Sequence, residues 1–244
     1  MISELSHKAG HLYAGGDDVL ALLPLEDALD CAVALRKHYL DCFDAQVVST
    51  TLSGAIEYAH AKMPLGKVLS DTHDLLDNVA KDGRGRDAIA CRVWKPGGQK
   101  LEWAMPWECA LEDSDPNTVV VDRLAKRFRE QAEQEGREMA SGFFYRLQAQ
   151  FDLLNPVGEG ASAVLDESLA TDLLAMEYLN SGIVRDKRWD MEQARAMIRP
   201  LLEQCRVIIR DKNVTDPADW QTLPRRAADG ALLVHFLASK GVER

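Results

Sequence analysis

Between two short apolar runs, His11-Leu12-Tyr13-Ala14 and Val19-Leu20-Ala21-Leu22-Leu23, stands the tetrapeptide Gly15-Gly16-Asp17-Asp18. Four turn-forming residues in succession allow a sharp reversal that the bulky flanking residues resist, so the two runs are expected to fold back on each other as a tight β-hairpin. Pro24 ends the second strand, because it has no N–H for the ladder. From Leu25 to about Phe43 the apolar positions Ala28, Leu29, Ala32, Leu35, Tyr39 and Phe43 recur at helical spacing. Val47 to Tyr58, rich in β-branched residues, reads as a strand that the Met63-Pro64 break closes off. Leu65 to Lys81 returns to helical spacing through Val68, Leu75, Leu76, Val79 and Ala80, with Gly83 as C-cap. Two more strands, about Asp87 to Trp94 and Gln99 to Met105, flank the turn Lys95-Pro96-Gly97-Gly98.

After about Cys109 the pattern becomes helical only, broken at Asn155-Pro156, Ser181-Gly182 and Asp216-Pro217. Leu124, Phe128 and Ala132 form one stripe, and Phe143, Leu147, Phe151 and Leu154 a second. Leu165, Leu169, Leu173 and Met176 form a third, Ala194, Ile198, Leu201 and Cys205 a fourth, and Leu232, Phe236 and Leu237 the last. Such stripes are core positions far more often than cofactor boxes. The expected class is α+β over about residues 8 to 108, within a domain 1–110, followed by an all-helical bundle over about 116 to 240, within a domain 111–244.

No stretch approaches the ~18 apolar residues of a membrane span. Met1-Ile2-Ser3-Glu4 lacks the basic start and apolar core of a signal peptide, so a cytoplasmic protein with no membrane partner is expected. Cys31, Cys42, Cys91, Cys109 and Cys205 make no CxxC pair and are expected as buried, reduced thiols. A net charge of −10 argues against nucleic-acid binding over the whole surface, leaving local clusters such as Arg123, Lys126, Arg127 and Arg129. Because Glu130, Glu133 and Glu135 follow closely, a solvated helix face is the stronger reading of that cluster.

The hairpin tip carries the candidate chemistry. Magnesium takes hard oxygen ligands and keeps positions open for phosphate oxygens, so Asp17 and Asp18 suffice as a protein contribution, while Gly15 and Gly16 let a base or phosphate approach the backbone. Taken alone, the tetrapeptide is as well explained by a plain turn. His73-Asp74 lies inside an amphipathic helix without companion His or Asp residues and reads as a solvated helix face, not a nuclease.

Tyr13-Ala14-Gly15-Gly16-Asp17-Asp18-Val19-Leu20-Ala21-Leu22-Leu23-Pro24 resembles the palm hairpin of the CRISPR polymerase family, the large subunits of type III effector complexes. The similarity continues through Thr51-Leu52-Ser53-Gly54-Ala55-Ile56, Lys62-Met63-Pro64-Leu65, Leu75-Leu76-Asp77-Asn78-Val79-Ala80-Lys81 and Gly85-Arg86-Asp87-Ala88-Ile89-Ala90. Diguanylate cyclases share the order of elements, but Asp18 in place of Glu and the lack of an upstream Arg-x-x-Asp fit the Cmr-type (III-B) branch of the CRISPR family better. The resemblance covers about residues 10 to 107, and the helical remainder by position only.

The resemblance implies a partial ferredoxin-like palm, akin to nucleotide cyclases and polymerases, that converts ATP to cyclic oligoadenylates in antiviral defence. Asp17 and Asp18 match the family's metal pair, with Mg2+ or Mn2+ as cofactor and Gly15 and Gly16 beside the nucleotide. Lys81 stands where related cyclases place a triphosphate-contacting lysine. Its other reading, a lysine complementing the helix dipole, carries equal weight. Arg84 and Arg86 are weaker candidates. Implied partners are other type III effector subunits including the small helical subunit, guide and target RNA held through the complex, and a separate chain carrying the N-terminal half of the large subunit.

The family's palm opens with a strand and two helices, yet only about a dozen residues precede the hairpin here. The HD domain, first palm and zinc-containing region of the family also have no counterpart. Two strands are therefore expected to lack a shared neighbour, and the chain to be a poor enzyme alone. Two roles follow from this, a cyclase half-site completed by another chain, or a structural subunit with a vestigial Asp pair that docks neighbouring subunits.

Overall fold

The computed structural model describes residues 11–15, 18–43, 50–95, 98, 100–134, 142–155, 166–181, 189–210, 213, 216 and 219–239. Strands β1 (His11–Gly15) and β2 (Asp18–Leu22) form the expected antiparallel hairpin, in register from His11 opposite Leu22 to Gly15 opposite Asp18. One 3-10 turn at Leu25–Asp27 leads into α1 (Ala28–Asp41), which buries Leu29, Cys31 and Val33. Strand β3 (Gly54–Tyr58) is shorter than the predicted Val47–Tyr58 strand, part of which lies outside the described residues. Helix α2 (Leu65–Asp74) passes into π-helical turns at Leu75–Gly83, followed by β4 (Ala88–Trp94) and β5 (Lys100–Pro106).

These strands make a sheet of order β3-β4-β5, with β3 parallel to β4 and β5 antiparallel to it. A parallel pair needs a crossover, and α2 with its π-helical extension supplies it. Alternation then divides the sheet between two layers. Ala55, Ala90 and Ala104 face the crossover helix and cluster with Leu75 and Ala80. Their small side chains let the helix approach closely. On the other face Ile56, Tyr58, Ile89, Cys91, Val93, Leu101, Trp103 and Met105 enter the main core.

Beyond β5 come α3 (Trp107–Ala110), β6 (Leu111–Glu112), β7 (Asp115–Val119), α4 (Val120–Gln134), α5 (Gly142–Leu154), α6 (Glu167–Asn180), α7 (Met191–Glu203), β8 (Arg206–Ile209), β9 (Gln221–Arg226) and α8 (Asp229–Ala238). The expectation of an all-helical second part is therefore corrected. The pairs β6-β7 and β8-β9 are antiparallel, and the latter closes from Arg206 opposite Arg226 to Ile209 opposite Gln221. Four-residue β8 is too short to show a period, and β9 contains Pro224 and two arginines, which hides it from a pattern reading.

Four of the five helical stripes lie in the core, including Leu124, Phe128 and Ala132, and Ala194, Ile198 and Leu201. The stripe on α6 does not. Leu169 is 53% exposed and Met176 55%, while Ala170, Leu174, Ala175 and Tyr178 are buried instead. Apolar residues run around the whole of α6, so spacing alone cannot select its inner face. Phe128, Phe143, Phe144 and Tyr178 pack edge-to-face at centroid distances of 5.2 to 5.9 Å. All five cysteines are free thiols, Cys31, Cys91 and Cys205 buried as expected but Cys42 exposed.

Helix α8 is buried from Gly230 to Ala238 and lies on β5, with the Tyr58 and Phe236 rings 5.4 Å apart across the seam. Its approach depends on Gly230. A Cβ there would overlap the carbonyl oxygen of Gln204, stand 2.7 Å from the carbonyl carbon and meet the Trp103 ring at 3.2 Å. Since the obstacle is backbone, it cannot rotate away. Gly230→Ala is expected to lower unfolding stability by about 2 kcal/mol or more, read as a reduced urea midpoint with an unchanged m-value.

Candidate functional site

The hairpin brings Gly15 and Asp18 face to face at its tip, and Gly16 and Asp17 lie outside the described residues. Asp18 is exposed, and no hydrogen bond or ion pair from the described residues engages its carboxylate. Tyr13, 65% exposed, lays its ring over Gly15, where its Cζ would stand 2.8 Å from a Cβ at that position. A side chain at residue 15 would displace this ring. The tip thus offers a hard oxygen ligand with its lone pairs turned to solvent beside a backbone without bulk, which suits a cation that keeps most of its coordination for water and phosphate. Among the described residues no group of three or more His, Cys, Asp or Glu forms a cage for a metal ion.

Lys81 is engaged locally. Its ammonium donates to Asp77 Oδ1 at 2.8 Å, one helical turn back, and this bond holds the Asp77 carboxyl below its usual value. Arg84 is also turned inward, donating from Nε to the Ala104 carbonyl at 3.1 Å. Arg86 adopts a left-handed φ of 66°. His73 hydrogen-bonds the Leu69 carbonyl through Nδ1, as a helix-face residue does. Of the basic cluster on α4, Arg123 pairs with Glu112, Lys126 with Asp122 at 2.6 Å, and Arg129 donates to the Leu237 and Ala238 carbonyls at the end of α8. Those three cations serve internal contacts.

A charged constellation that periodicity did not flag lies under α2. Glu57, Arg92 and Glu102 are neighbours in register across β3, β4 and β5. Arg92, 5% exposed, donates to Glu102 Oε2 at 2.6 Å, to Asp74 Oδ2 at 3.2 Å and to the Asp71 carbonyl at 3.2 Å. Asp71 also accepts from Lys100 at 2.5 Å and from Trp94 Nε1 at 3.0 Å. Burial works against both charges, but the hydrogen bonds among Arg92, Glu102, Asp71 and Lys100 prevail, lowering Asp71 and raising Arg92. Both oxygens of Glu57 are enclosed with no donor among the described residues. Burial, reinforced by the Asp71 charge beside it, pushes the Glu57 carboxyl up to about 8, so it holds a proton that it can offer to Asp71. Its signal in the sequence is a charge set among the small and apolar residues of each strand, Glu57 in Gly54-Ala55-Ile56-Glu57-Tyr58 and Arg92 in Ala88-Ile89-Ala90-Cys91-Arg92.

The hairpin, α1, β3, the crossover helix and the start of β4 all lie in a segment, residues 2–90, that matches the family model described as Cas10/Cmr2, second palm domain. Residues 2–90 are thus similar to the second palm domain of Cas10/Cmr2 proteins. Over 99 residues the chain is 38% identical to the CRISPR system Cmr subunit Cmr2 of Pyrococcus furiosus, a stretch covering 40% of this chain and 11% of that protein. The family match ends inside β4, so β5 and the elements after it lie beyond the matched palm. No helix among the described residues is long and apolar enough to cross a membrane.

The palm's charged layer makes a prediction about pH. Because the folded-state value of Glu57 lies above its usual 4.5, the folded chain binds this proton more tightly than the unfolded chain. Its contribution is complete at low pH and is lost as pH rises towards about 8. Glu57→Gln should flatten the fall in urea-unfolding stability between about pH 5 and 9 and leave the variant more stable than the parent at pH 9. Parallel slopes for the two proteins would show Glu57 ionised at neutral pH.

Proposed function

We propose that the chain serves in the large subunit of a Cmr-type, type III CRISPR RNA-guided complex, and that its palm converts ATP to cyclic oligoadenylates in antiviral defence. The observation that carries this reading is the hairpin tip, with Gly15 opposite Asp18 inside a segment of the Cas10/Cmr2 second-palm family. Asp17 and Asp18 are the proposed ligands of Mg2+ or Mn2+, which when bound supplies neutralisation of phosphate charge and activation of a hydroxyl. Gly15 and Gly16 keep the backbone open to the nucleotide, and the exposed Tyr13 ring offers an aromatic face for a base. Lys81 reaches a triphosphate in this reading only by exchanging Asp77 for it. Other effector subunits, including the small helical one, are the proposed partners in a cytoplasmic complex, with guide and target RNA held through the assembly.

A second reading is a structural subunit that docks its neighbours. It is favoured by the separation of the hairpin from the sheet, since among the described residues β2 has no partner but β1 and no strand pairs the outer edge of β3. A free edge invites a strand from another chain, and a separate chain with the N-terminal half of the large subunit fits that position. Under this reading the partner completes the sheet whether or not the Asp pair is active.

The two readings separate in one experiment. The assembled complex is incubated with ATP and Mn2+, and cyclic products are resolved by chromatography. Asp17→Ala with Asp18→Ala is expected to cut oligoadenylate synthesis on the order of 10²-fold or more while assembly is retained, as loss of transition-state charge stabilisation does elsewhere. Unchanged synthesis would remove the site from the hairpin. Assembly without synthesis in the parent complex would leave the structural role standing.

A further inference from the structure

The register of the β1-β2 ladder decides which side chains share a face of the hairpin. Tyr13 stands opposite Leu20, and Gly15 opposite Asp18. Partners across an antiparallel pair project to the same side, as do residues two apart on one strand. Tyr13, Gly15, Asp18 and Leu20 therefore occupy one face, and Ala14, Val19 and Ala21 the other. Along the first face the Tyr13 side chain leans towards the tip. Its Cε1 lies 3.1 Å from the place where a Cβ on residue 15 would stand, and its hydroxyl oxygen overlaps that place. The phenol thus ends over Gly15, directly across the ladder from Asp18, where paired Cα atoms stand about 5 Å apart. A side chain at residue 15 would close this path, so the glycine serves the tyrosine as well as the turn.

Both polar ends are accessible, since Tyr13 is 65% exposed and Asp18 is exposed as well. Among the described residues neither the Tyr13 hydroxyl nor the Asp18 carboxylate has a bonding partner. What the ring does for the fold does not need the hydroxyl, because a phenyl ring would cover the strand glycine equally well. The oxygen adds a donor beside a carboxylate, and together the two suit one kind of ligand. A free anion is repelled by Asp18, and a bare cation has no use for an O–H donor. An anion that arrives with its cation meets both groups, the carboxylate taking the cation and the hydroxyl donating to an anionic oxygen. A nucleoside triphosphate with its divalent ion has that composition.

We infer, resting on the reading of this hairpin as a nucleotide site, that Tyr13 is a phosphate-contacting residue whose hydroxyl donates to an oxygen of the triphosphate held at Asp18. The face of the ring and its hydroxyl thereby serve different parts of the nucleotide.

Inorganic tripolyphosphate with Mg2+ is the probe, titrated calorimetrically into the assembled complex, while oligoadenylate synthesis from ATP is followed in parallel. Tyr13→Phe keeps the ring over Gly15 and removes only the donor. It is expected to melt with the parent, to bind tripolyphosphate about tenfold more weakly and to lose about tenfold in kcat/KM for ATP. Asp18→Ala tests the site itself and should lose both binding and synthesis. If Asp18→Ala binds tripolyphosphate and makes product as the parent does, or if the parent does neither, the nucleotide site is not at this hairpin and the role of Tyr13 falls with it. If Asp18→Ala loses both while Tyr13→Phe binds tripolyphosphate as tightly as the parent, the site stands and the phosphate contact alone is overturned. A Tyr13→Phe defect seen with ATP but not with tripolyphosphate would move the hydroxyl to the base or ribose and overturn it too.

Discussion

Strand β4 lies between two covered faces, and from Ala88 to Val93 each of its residues is buried. That enclosure governs the sheet around it. The face towards the crossover helix carries alanines at 55, 90 and 104, which bring the helix within contact of the strands. The opposite face carries Ile89, Cys91 and Val93 against the aromatic and aliphatic side chains of the main core. Cys91 accordingly has a thiol that burial drives far above its usual value, and the residue is inert filling in the sense that matters for chemistry. Arg92 is the exception on this strand, and a guanidinium in such a place is tolerated because Asp71, Asp74 and Glu102 surround it. The ionic layer under α2 is thus a consequence of burying β4, and it explains why Glu57, next in register, is left without a cation of its own.

The two edges of the sheet are treated differently. On the β5 side, Asp229 at the start of α8 accepts the Glu102 backbone N–H at 3.1 Å, and Gly230 lets the helix settle onto the neighbouring turn. That outer edge is occupied by the chain itself. The β3 side has no such cover from a strand among the described residues, although the indole of Trp107 donates to the Leu52 carbonyl just before it at 2.8 Å. Among the described residues the hairpin that carries Asp18 consequently shares no ladder with the sheet, and α1, anchored by Leu29 and Val33, follows it into the core. A hairpin so supported is held in place through α1 and the turn that precedes it, so its tip is set by fewer contacts than the strands of the sheet.

The hairpin, the two strands β4 and β5, and most helices were legible in the sequence because each has a turn signal or a long period of its own. Gly15-Gly16-Asp17-Asp18 announces a reversal, and Leu124, Phe128 and Ala132 announce a face. Elements whose stability comes from distant contacts were not legible. Strand β8 is four residues long and pairs with Gln221 to Arg226 across the intervening residues 210–220, so nothing local marks it. The inner face of α6 is chosen by Phe128 and Phe143 packing on Tyr178, not by the more regular leucine stripe that ends up in solvent. Lys81 was placed by its motif position, and its pairing with Asp77 is the contact that residues four apart on one helix face make.

The loop that joins the crossover helix to β4 is held in a backbone geometry that is costly on its own. Gly85, Arg86 and Asp87, immediately before β4, have φ values of 67°, 66° and 43°, and for the two non-glycine residues this left-handed geometry costs on the order of 1–3 kcal/mol each. Three contacts offset that cost. Arg210, 8% exposed and stacked 4.9 Å over the Trp220 ring, donates to the carbonyls of Arg84 and Gly85 at 3.0 Å each. Asp87 pairs with Arg36 at 3.3 Å, and its carbonyl accepts from the Trp107 N–H at 3.0 Å. Gly85 is required for the first contact, because a Cβ there would sit 2.5 Å from the Arg210 carbonyl oxygen. Since Arg210 follows β8, a residue far outside the family match fixes how the chain enters the palm's most buried strand. The region beyond β5 is therefore structural support for the matched segment, and an alteration at Arg210 acts on the entry to β4 through backbone geometry, with no need for a side chain near the hairpin.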